Sequence, residues 1–433
     1  MKHFLAVVFC ALLAGASRLP AGAQDIVIHA GHVMAVPGEG WQTRRSILID
    51  GETVSGLREG YVSPDGAQII DLKEAYVLPG LIDSHVHLLS TKPPRDRLDT
   101  FTKTTSDVTL DGVVHARDTL LAGFTAVQDV GGTDEAIFAL RDGVAAGKLA
   151  GPHIRASGRA VAVTGGHGDI NGFAPRYMAM MVGDNICNGA DDCRRATRQQ
   201  IKQGADIIKI TATGGVLSNT DAGLEKQFSD AELAAIVEAA ESMGRKVTAH
   251  AHGKSGIDAA LRAGVHSIEH GTYLDDETIA LFLEHEAVLV PTVLAGVTVT
   301  GWTDEPWLPK ASREKAEIVG PRMLEMLRLA REGGVRVAFG TDTGVSAHGK
   351  NAKEFALMVE AGFSPEEAIR SATVTASEHI EMSDRIGTLE AGKLADLIAT
   401  QGNPLENIAE LEDVDFVMKG GQVYKPARGP DSR

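Results

Sequence analysis

The sequence predicts an α/β protein, a (β/α)8 TIM barrel carrying a small β-sandwich domain built from both ends of the chain. Three observations carry that prediction. Eight short β-rich runs recur through the middle of the chain, with helix-period stretches between most of them. Further β-rich runs, broken by Gly, Asp and Pro turns, occupy the two ends. Side chains with metal-ligand chemistry stand at the C-terminal ends of five of the eight central runs.

The chain opens with "MKHFLAVVFCALLAGASRLPAGAQ". Lys2, an apolar stretch from Phe4 to Ala16 and the small-residue pattern Ala21-Gly22-Ala23 read as a secretory signal cut after Ala23. The apolar stretch is too short to span a bilayer. Residues 1–23 are therefore expected to leave, taking Cys10 with them, and the mature protein is expected in the periplasm or outside the cell. No later segment is long and apolar enough to cross a membrane.

The next runs, "DIVIHAGHVMAVPG", "RRSILIDGETVSGL" and "AQIIDLKEAYVLPG", alternate strand-forming residues with turns. Similar runs return in "LADLIAT" and "DVDFVMKGGQVYK". Residues 24–78 and 385–433 are thus expected to form one composite β-sandwich, with the barrel, residues 79–384, inserted between them.

Within the insert the expected strands are 81–86, 125–130, 153–158, 206–211, 246–251, 266–271, 287–292 and 335–341. The clearest helix is "SDAELAAIVEAAESMG", in which Ser229 and Glu232 make a capping box and Gly244 supplies the stop. An open doubly wound sheet is the competing arrangement, but no G-x-G-x-x-G follows the first strand, which argues against a dinucleotide site. "TATGG" lacks the following GK[ST] of a phosphate loop.

Composition is that of a soluble globular protein: of 433 residues, 43% are hydrophobic and 23% charged. The formal charge is −16, and loss of Lys2 and Arg18 takes it to −18. Such a chain repels nucleic acid and anionic membranes, while a small anionic substrate remains compatible with a local site. Cys187 and Cys193, in "NICNGADDC", are close enough in an oxidising compartment to pair as a disulfide.

The chemistry concentrates at strand ends. In "GLIDSHVHL", His85 and His87 are two apart, so one strand face carries both imidazoles. Lys209 lies near the end of the fourth run, His250 ends the fifth, His270 the sixth, and Asp342 follows the eighth. In a barrel these ends converge on one face. Lys209 sits in an apolar run, where desolvation favours the neutral amine. A neutral amine can add carbon dioxide to give a carbamate, an anionic ligand able to bridge two cations. His250 and His252 share a strand face, and spacing alone does not choose between them.

The stretches "LPGLIDSHVHL", "GADIIKITATGG", "VTAHAHG", "GVHSIEHGT" and "GKLADLI" resemble the amidohydrolase superfamily, in its imidazolonepropionase-like branch. That branch includes dipeptidase and carboxypeptidase-like enzymes and ochratoxin-hydrolysing amidohydrolases. The resemblance implies two divalent ions, usually zinc. His85, His87 and Asp342 would hold one, His250 and His270 the other, with carbamylated Lys209 and a hydroxide bridging them. It places the ligand at His250 and leaves His252 beside the substrate. It implies hydrolysis of an amide or dipeptide bond, with Asp342 moving the proton from nucleophile to leaving amine, and a homo-oligomer, octamers occurring among relatives.

Further site candidates surround these. His167, in "TGGHGD", is either a donor that polarises the scissile carbonyl or a solvent-facing loop residue. Tyr273 could bond a substrate carboxylate, and Ser90, Val216, Leu217 and Val345 could shape the pocket. Three rivals stand beside the amidase. A mononuclear deaminase would normally carry a Glu soon after the fifth-strand histidine, and "HAHGKSG" has none. A lactonase or cyclic-amide hydrolase would share the metals. A non-catalytic binding protein of this fold would have lost ligands, yet all six positions are filled.

Overall fold

The computed structural model describes residues 25–91, 96–220 and 222–427. The expected signal segment, 1–23, lies outside the described residues, as do residue 24 and the last six positions of the expected terminal domain. Among the described residues, no helix is long and apolar enough to cross a membrane.

Both ends of the chain do meet in one β-structure, but it is a single seven-stranded sheet rather than the two sheets of a sandwich. Its order is Gln422–Lys425, Phe416–Lys419, Leu397–Thr400, Gln68–Pro79, Ile26–Val33, Gln42–Asp50, Thr53–Glu59. The reason is the length of Gln68–Pro79. It pairs in parallel with Ile26–Val33 and, at its end, antiparallel with Leu397–Thr400, which stitches the two chain ends together. The sheet curls, so that the Thr53 edge bridges to Leu394. Curling encloses a private core of Ile28, Ile47, Val77, Leu397, Phe416 and Met418, the burial a second sheet would otherwise supply. At Gly31 the ladder bulges, and a Cβ there would stand 2.1 Å from the Lys73 carbonyl oxygen.

All eight central runs form strands: Leu81–Val86, Phe124–Asp129, His153–Ala156, Ile208–Thr211, Val247–Ala251, Ser267–His270, Val288–Val290 and Arg336–Val337. The first three make one parallel arc and the last five another. Backbone hydrogen bonds link the arcs at both seams. Asp206 N–H donates to the Ala156 carbonyl and Val161 N–H to that of Lys209, each at 2.8 Å. Across the other seam Ser84 N–H reaches Phe339 O at 2.9 Å, and Asp342 N–H reaches His85 O at 2.8 Å.

The eighth strand is shorter than its sequence suggests. Asp83 takes over the ladder there. Its Oδ1 accepts the backbone N–H groups of His85 and Thr341, both at 3.1 Å, and its Oδ2 accepts the Thr341 hydroxyl at 2.6 Å and the Asn351 amide at 2.7 Å. Burial nevertheless pushes this carboxyl up to about 6. The Asp230–Glu241 helix carries the expected capping box, with Gly244 in the left-handed region just beyond. Cys187 and Cys193 are joined by a disulfide.

Candidate metal centre

Two ligand clusters form at the C-terminal ends of the strands: His85, His87 and Asp342 in one, His250, His252 and His270 in the other. In each, the potential ligand atoms lie within 4.8 Å of one another.

The first cluster is organised by what lies behind it. His85 Nδ1 is 2.6 Å from a Glu269 carboxylate oxygen, and His87 Nδ1 is 3.0 Å from the Gly131 carbonyl. Both partners are acceptors, so each ring carries its proton on Nδ1 and presents the Nε2 lone pair forward. Those Nε2 atoms lie 3.6 and 3.1 Å from Asp342 Oδ1, a buried oxygen with no hydrogen-bond partner. Three electron-rich atoms facing one another need a positive charge among them. The same need appears in the titration of His87: burial opposes its charge, but Asp342 and Asp129 overcome burial and raise it. Asp342 is pushed up by burial and pulled down further by His85, His87 and Lys209, so it stays a carboxylate. This donor set, imidazole nitrogens plus a carboxylate, suits a divalent ion such as zinc.

In the second cluster His270 Nδ1 lies 2.6 Å from Thr292 Oγ1 and His252 Nδ1 lies 2.8 Å from Thr272 Oγ1. His250 turns its Nε2 toward the Gly214 carbonyl at 3.4 Å. Burial holds His85, His250 and His270 well below the usual histidine range and His252 at about 4, so these rings are neutral donors near pH 7. His252 thus sits inside the cluster, not merely next to it. Lys209 is buried at 4% exposure, and burial lowers it against the pull of Glu269, Asp342 and Asp129. Its charge is felt by histidines of both clusters.

Backbone strain collects here. His270, Thr292 and Asp342 are non-glycine residues at φ of +73°, +53° and +56°. A left-handed threonine is a true outlier, and its hydroxyl is the one that orients His270.

The clusters floor a cavity of about 920 Å³, which His167, Ser90, Val216, Leu217 and Val345 also line. The His167 ring lies 4.2 Å from that of His250, and its Nδ1 lies 2.5 Å from Ser218 Oγ. His167 is therefore no solvent-facing loop residue; burial lowers it to about 3. Tyr273 is not part of the cavity wall. Gly271, at φ +68°, turns the chain after His270, and the Tyr273 ring lies 4.7 Å from the Arg322 guanidinium.

A sequence model of the amidohydrolase family matches residues 76–424. The chain belongs to that family. It is 32% identical over 439 residues to an ochratoxinase of Aspergillus niger, covering 94% of this chain and 88% of that one. Among solved structures, a Xaa-Pro dipeptidase with methionine bound in its active site superposes with a TM-score of 0.89 at 42% identity, over 92% of this chain and 99% of the other. A prolidase in complex with N-methylphosphonate-L-proline gives 0.85 at 32% identity, over 93% and 99%.

Several residues that organise the centre of this amidohydrolase escaped sequence reasoning. Glu269 is fully buried and held by the hydroxyls of Thr248 and Ser267. A charge inside the apolar run "HSIEHG" was the available signal. Thr272, Thr292, Ser218 and the Gly131 carbonyl gave none, because their roles depend on which loop they meet.

Proposed function

We propose that this chain is an exported, metal-dependent hydrolase that cleaves the C–N bond of dipeptides or N-acyl amino acids, and that the two strand arcs make one (β/α)8 barrel presenting its site. The observation that carries the reading is the unpartnered Asp342 Oδ1 facing the Nε2 lone pairs of His85 and His87. The ochratoxinase and dipeptidase relatives support an amide as the target. His85, His87 and Asp342 would hold one divalent ion, His250 and His270 a second, and Lys209, as its carbamate, both. Bound in pairs, such ions polarise a carbonyl and lower the pKa of water.

The chain's own residues then do the following. Asp342, kept ionised by its neighbours, takes the proton of the attacking water and delivers it to the leaving amine nitrogen. Ser218 Oγ holds His167 Nδ1 in a hydrogen bond that fixes the ring, and in the tautomer with its proton on Nε2 His167 would donate to the scissile carbonyl oxygen. Val216, Leu217 and Val345 exclude water beside the bond. No covalent acyl-enzyme forms.

The test is a library of dipeptides and N-acyl amino acids, ochratoxin A included, assayed with zinc-loaded protein. Release of a free amino acid is expected. Cleavage of lactones or cyclic amides alone would overturn the reading.

A further inference from the structure

A substrate whose leaving group is an amino acid carries a free α-carboxylate, and a cation in the cavity is the natural group to bind it. Tyr273 does not line the cavity. Among the described residues, three that line the cavity are lysine or arginine: Lys103, Arg159 and Lys209. Lys103 is held by Asp111 at 2.7 Å and Asp99 at 3.0 Å. Lys209 lies on the floor with the ligand clusters. Arg159 is different. Its side chain is 39% exposed, and among the described residues its one ion pair is loose, 3.7 Å from Nε to Asp134 Oδ2. The other oxygen of Asp134 is occupied by the Arg159 backbone N–H, at 2.7 Å.

The setting of Arg159 fits a reader of anions. It follows the third strand, at the same end as the ligands, two residues before Val161, whose N–H donates to the Lys209 carbonyl at 2.8 Å. Gly183 keeps the guanidinium clear: a Cβ there would stand 3.1 Å from Arg159 Nη1. Val299, Val319 and Met323, on the helices Val293–Thr300 and Lys310–Glu332, supply an apolar surface to the same cavity. These helices cross closely, since a Cβ on Gly320 would stand 2.9 Å from the Gly296 carbonyl oxygen. Lys315 staples the second helix to the loop bearing Val216 and Leu217 by donating to the carbonyls of Gly215 at 2.9 Å and Ser218 at 2.7 Å.

We propose that Arg159 binds the free α-carboxylate of the amino acid being released, and that the apolar surface takes the hydrophobic part of the same substrate. This rests on the amidase reading and sharpens it: the substrates are N-acyl amino acids and dipeptides with a free C-terminus and an apolar group. The planar guanidinium fork matches a carboxylate with two parallel hydrogen bonds, which a lysine cannot copy.

The experiment compares N-acetyl-phenylalanine with its carboxamide, using zinc-loaded wild type, Arg159→Gln and Arg159→Lys. Hydrogen bonds to a charged partner of this kind are worth roughly 10–100-fold. Arg159→Gln is expected to lose that factor in kcat/KM on the acid, mainly through KM, and to change the carboxamide rate less than about threefold. Arg159→Lys should recover part of the loss. Calorimetric binding of L-phenylalanine to the zinc-loaded protein should weaken in parallel. Equal losses on acid and carboxamide, or an unchanged acid rate, would overturn the assignment of Arg159 while leaving the amidase intact. Wild type that cleaves neither compound nor any other member of the library sinks the amidase reading, and this proposal with it.

Discussion

Two groups of buried histidines sit at opposite ends of the same strands. At one end are the ligand clusters. At the other, His266 stands just before Ser267–His270 and stacks on His379 with ring centroids 5.3 Å apart. Burial depresses His85, His250, His252 and His270 at the first end, and at the second His266 falls to about 4 and His379 to about 3. Depressed titration therefore does not mark the site. What differs is the direction of the lone pairs. His85 and His87 are backed by acceptors and project their Nε2 atoms at a carboxylate. His266 Nε2 instead faces the Lys246 ammonium at 3.5 Å, and His379 Nε2 faces the Gln128 amide at 3.3 Å. Among the described residues, no third ligand joins that pair. Convergence of unshared electron pairs, not burial, separates a metal centre from a packed core.

The sharpest way to break this comparison is to remove the point of convergence. Asp342→Asn keeps the shape and deletes the charge. Turnover is expected to fall by roughly 10²–10⁴-fold, the range of a positioned acid–base group. Metal per chain, about two by the occupancy of two-metal sites, should fall as well. Lys209→Ala should lose most activity, with partial return on adding short carboxylic acids. Unchanged metal content and turnover in either variant would remove the distinction between the two ends.

A smaller effect is expected one layer back. Glu269→Gln leaves His85 packed but substitutes a neutral amide for the carboxylate behind Nδ1. Loss of such a partner typically costs about 10–100-fold in metal affinity. Competition with a zinc chelator reads this directly. A variant that holds zinc as tightly as wild type would show that Glu269 only fills space.

Much of this was legible in the sequence, and the failures follow a pattern. His85 and His87 were readable because alternation in a strand fixes their common side, and Lys209, His250, His270 and Asp342 because each stands within, at the end of or just after a β-rich run. The eight strands and the capped helix were readable for the same local reason. Tyr273, a candidate to bond the substrate carboxylate, does not line the cavity, and a left-handed Gly271 lies between it and His270. The family pattern makes His250 the ligand and leaves His252 beside the substrate, and the structure brings both together with His270 in one group of potential ligand atoms. Arg159 sits on a loop, where direction is set by tertiary contacts. The single curled sheet was missed because pairing partners hundreds of residues apart leave no local trace.

The smallest expected effect concerns the end without ligands. Above pH 6.5 His379 is neutral both folded and unfolded, and it adds no pH dependence. Below that value the unfolded chain takes up a proton, near the ordinary histidine pKa of about 6.5. The folded protein refuses it until about pH 3, because burial, His266, Lys246 and Arg336 all oppose the charge, with only Glu269 favouring it. The unfolded state thus binds more protons across the window from 6.5 to 3, and stability falls as pH falls, by up to about 1.4 kcal/mol per unit from this group. His379→Gln removes that slope and leaves every ligand in place. At pH 8 the variant should be less stable than wild type by about 1 kcal/mol, the usual scale for a lost core contact. At pH 5 the gap should close or reverse, while zinc content and turnover at pH 8 stay within about twofold of wild type, as for a site away from the chemistry. Urea denaturation of the zinc-loaded proteins at pH 8, 6.5 and 5 measures the difference, and the active-site histidines, common to both proteins, cancel from it. A gap that stays constant across the three pH values would mean that His379 takes up its proton when folded, and the two ends would then differ in titration as well as in geometry.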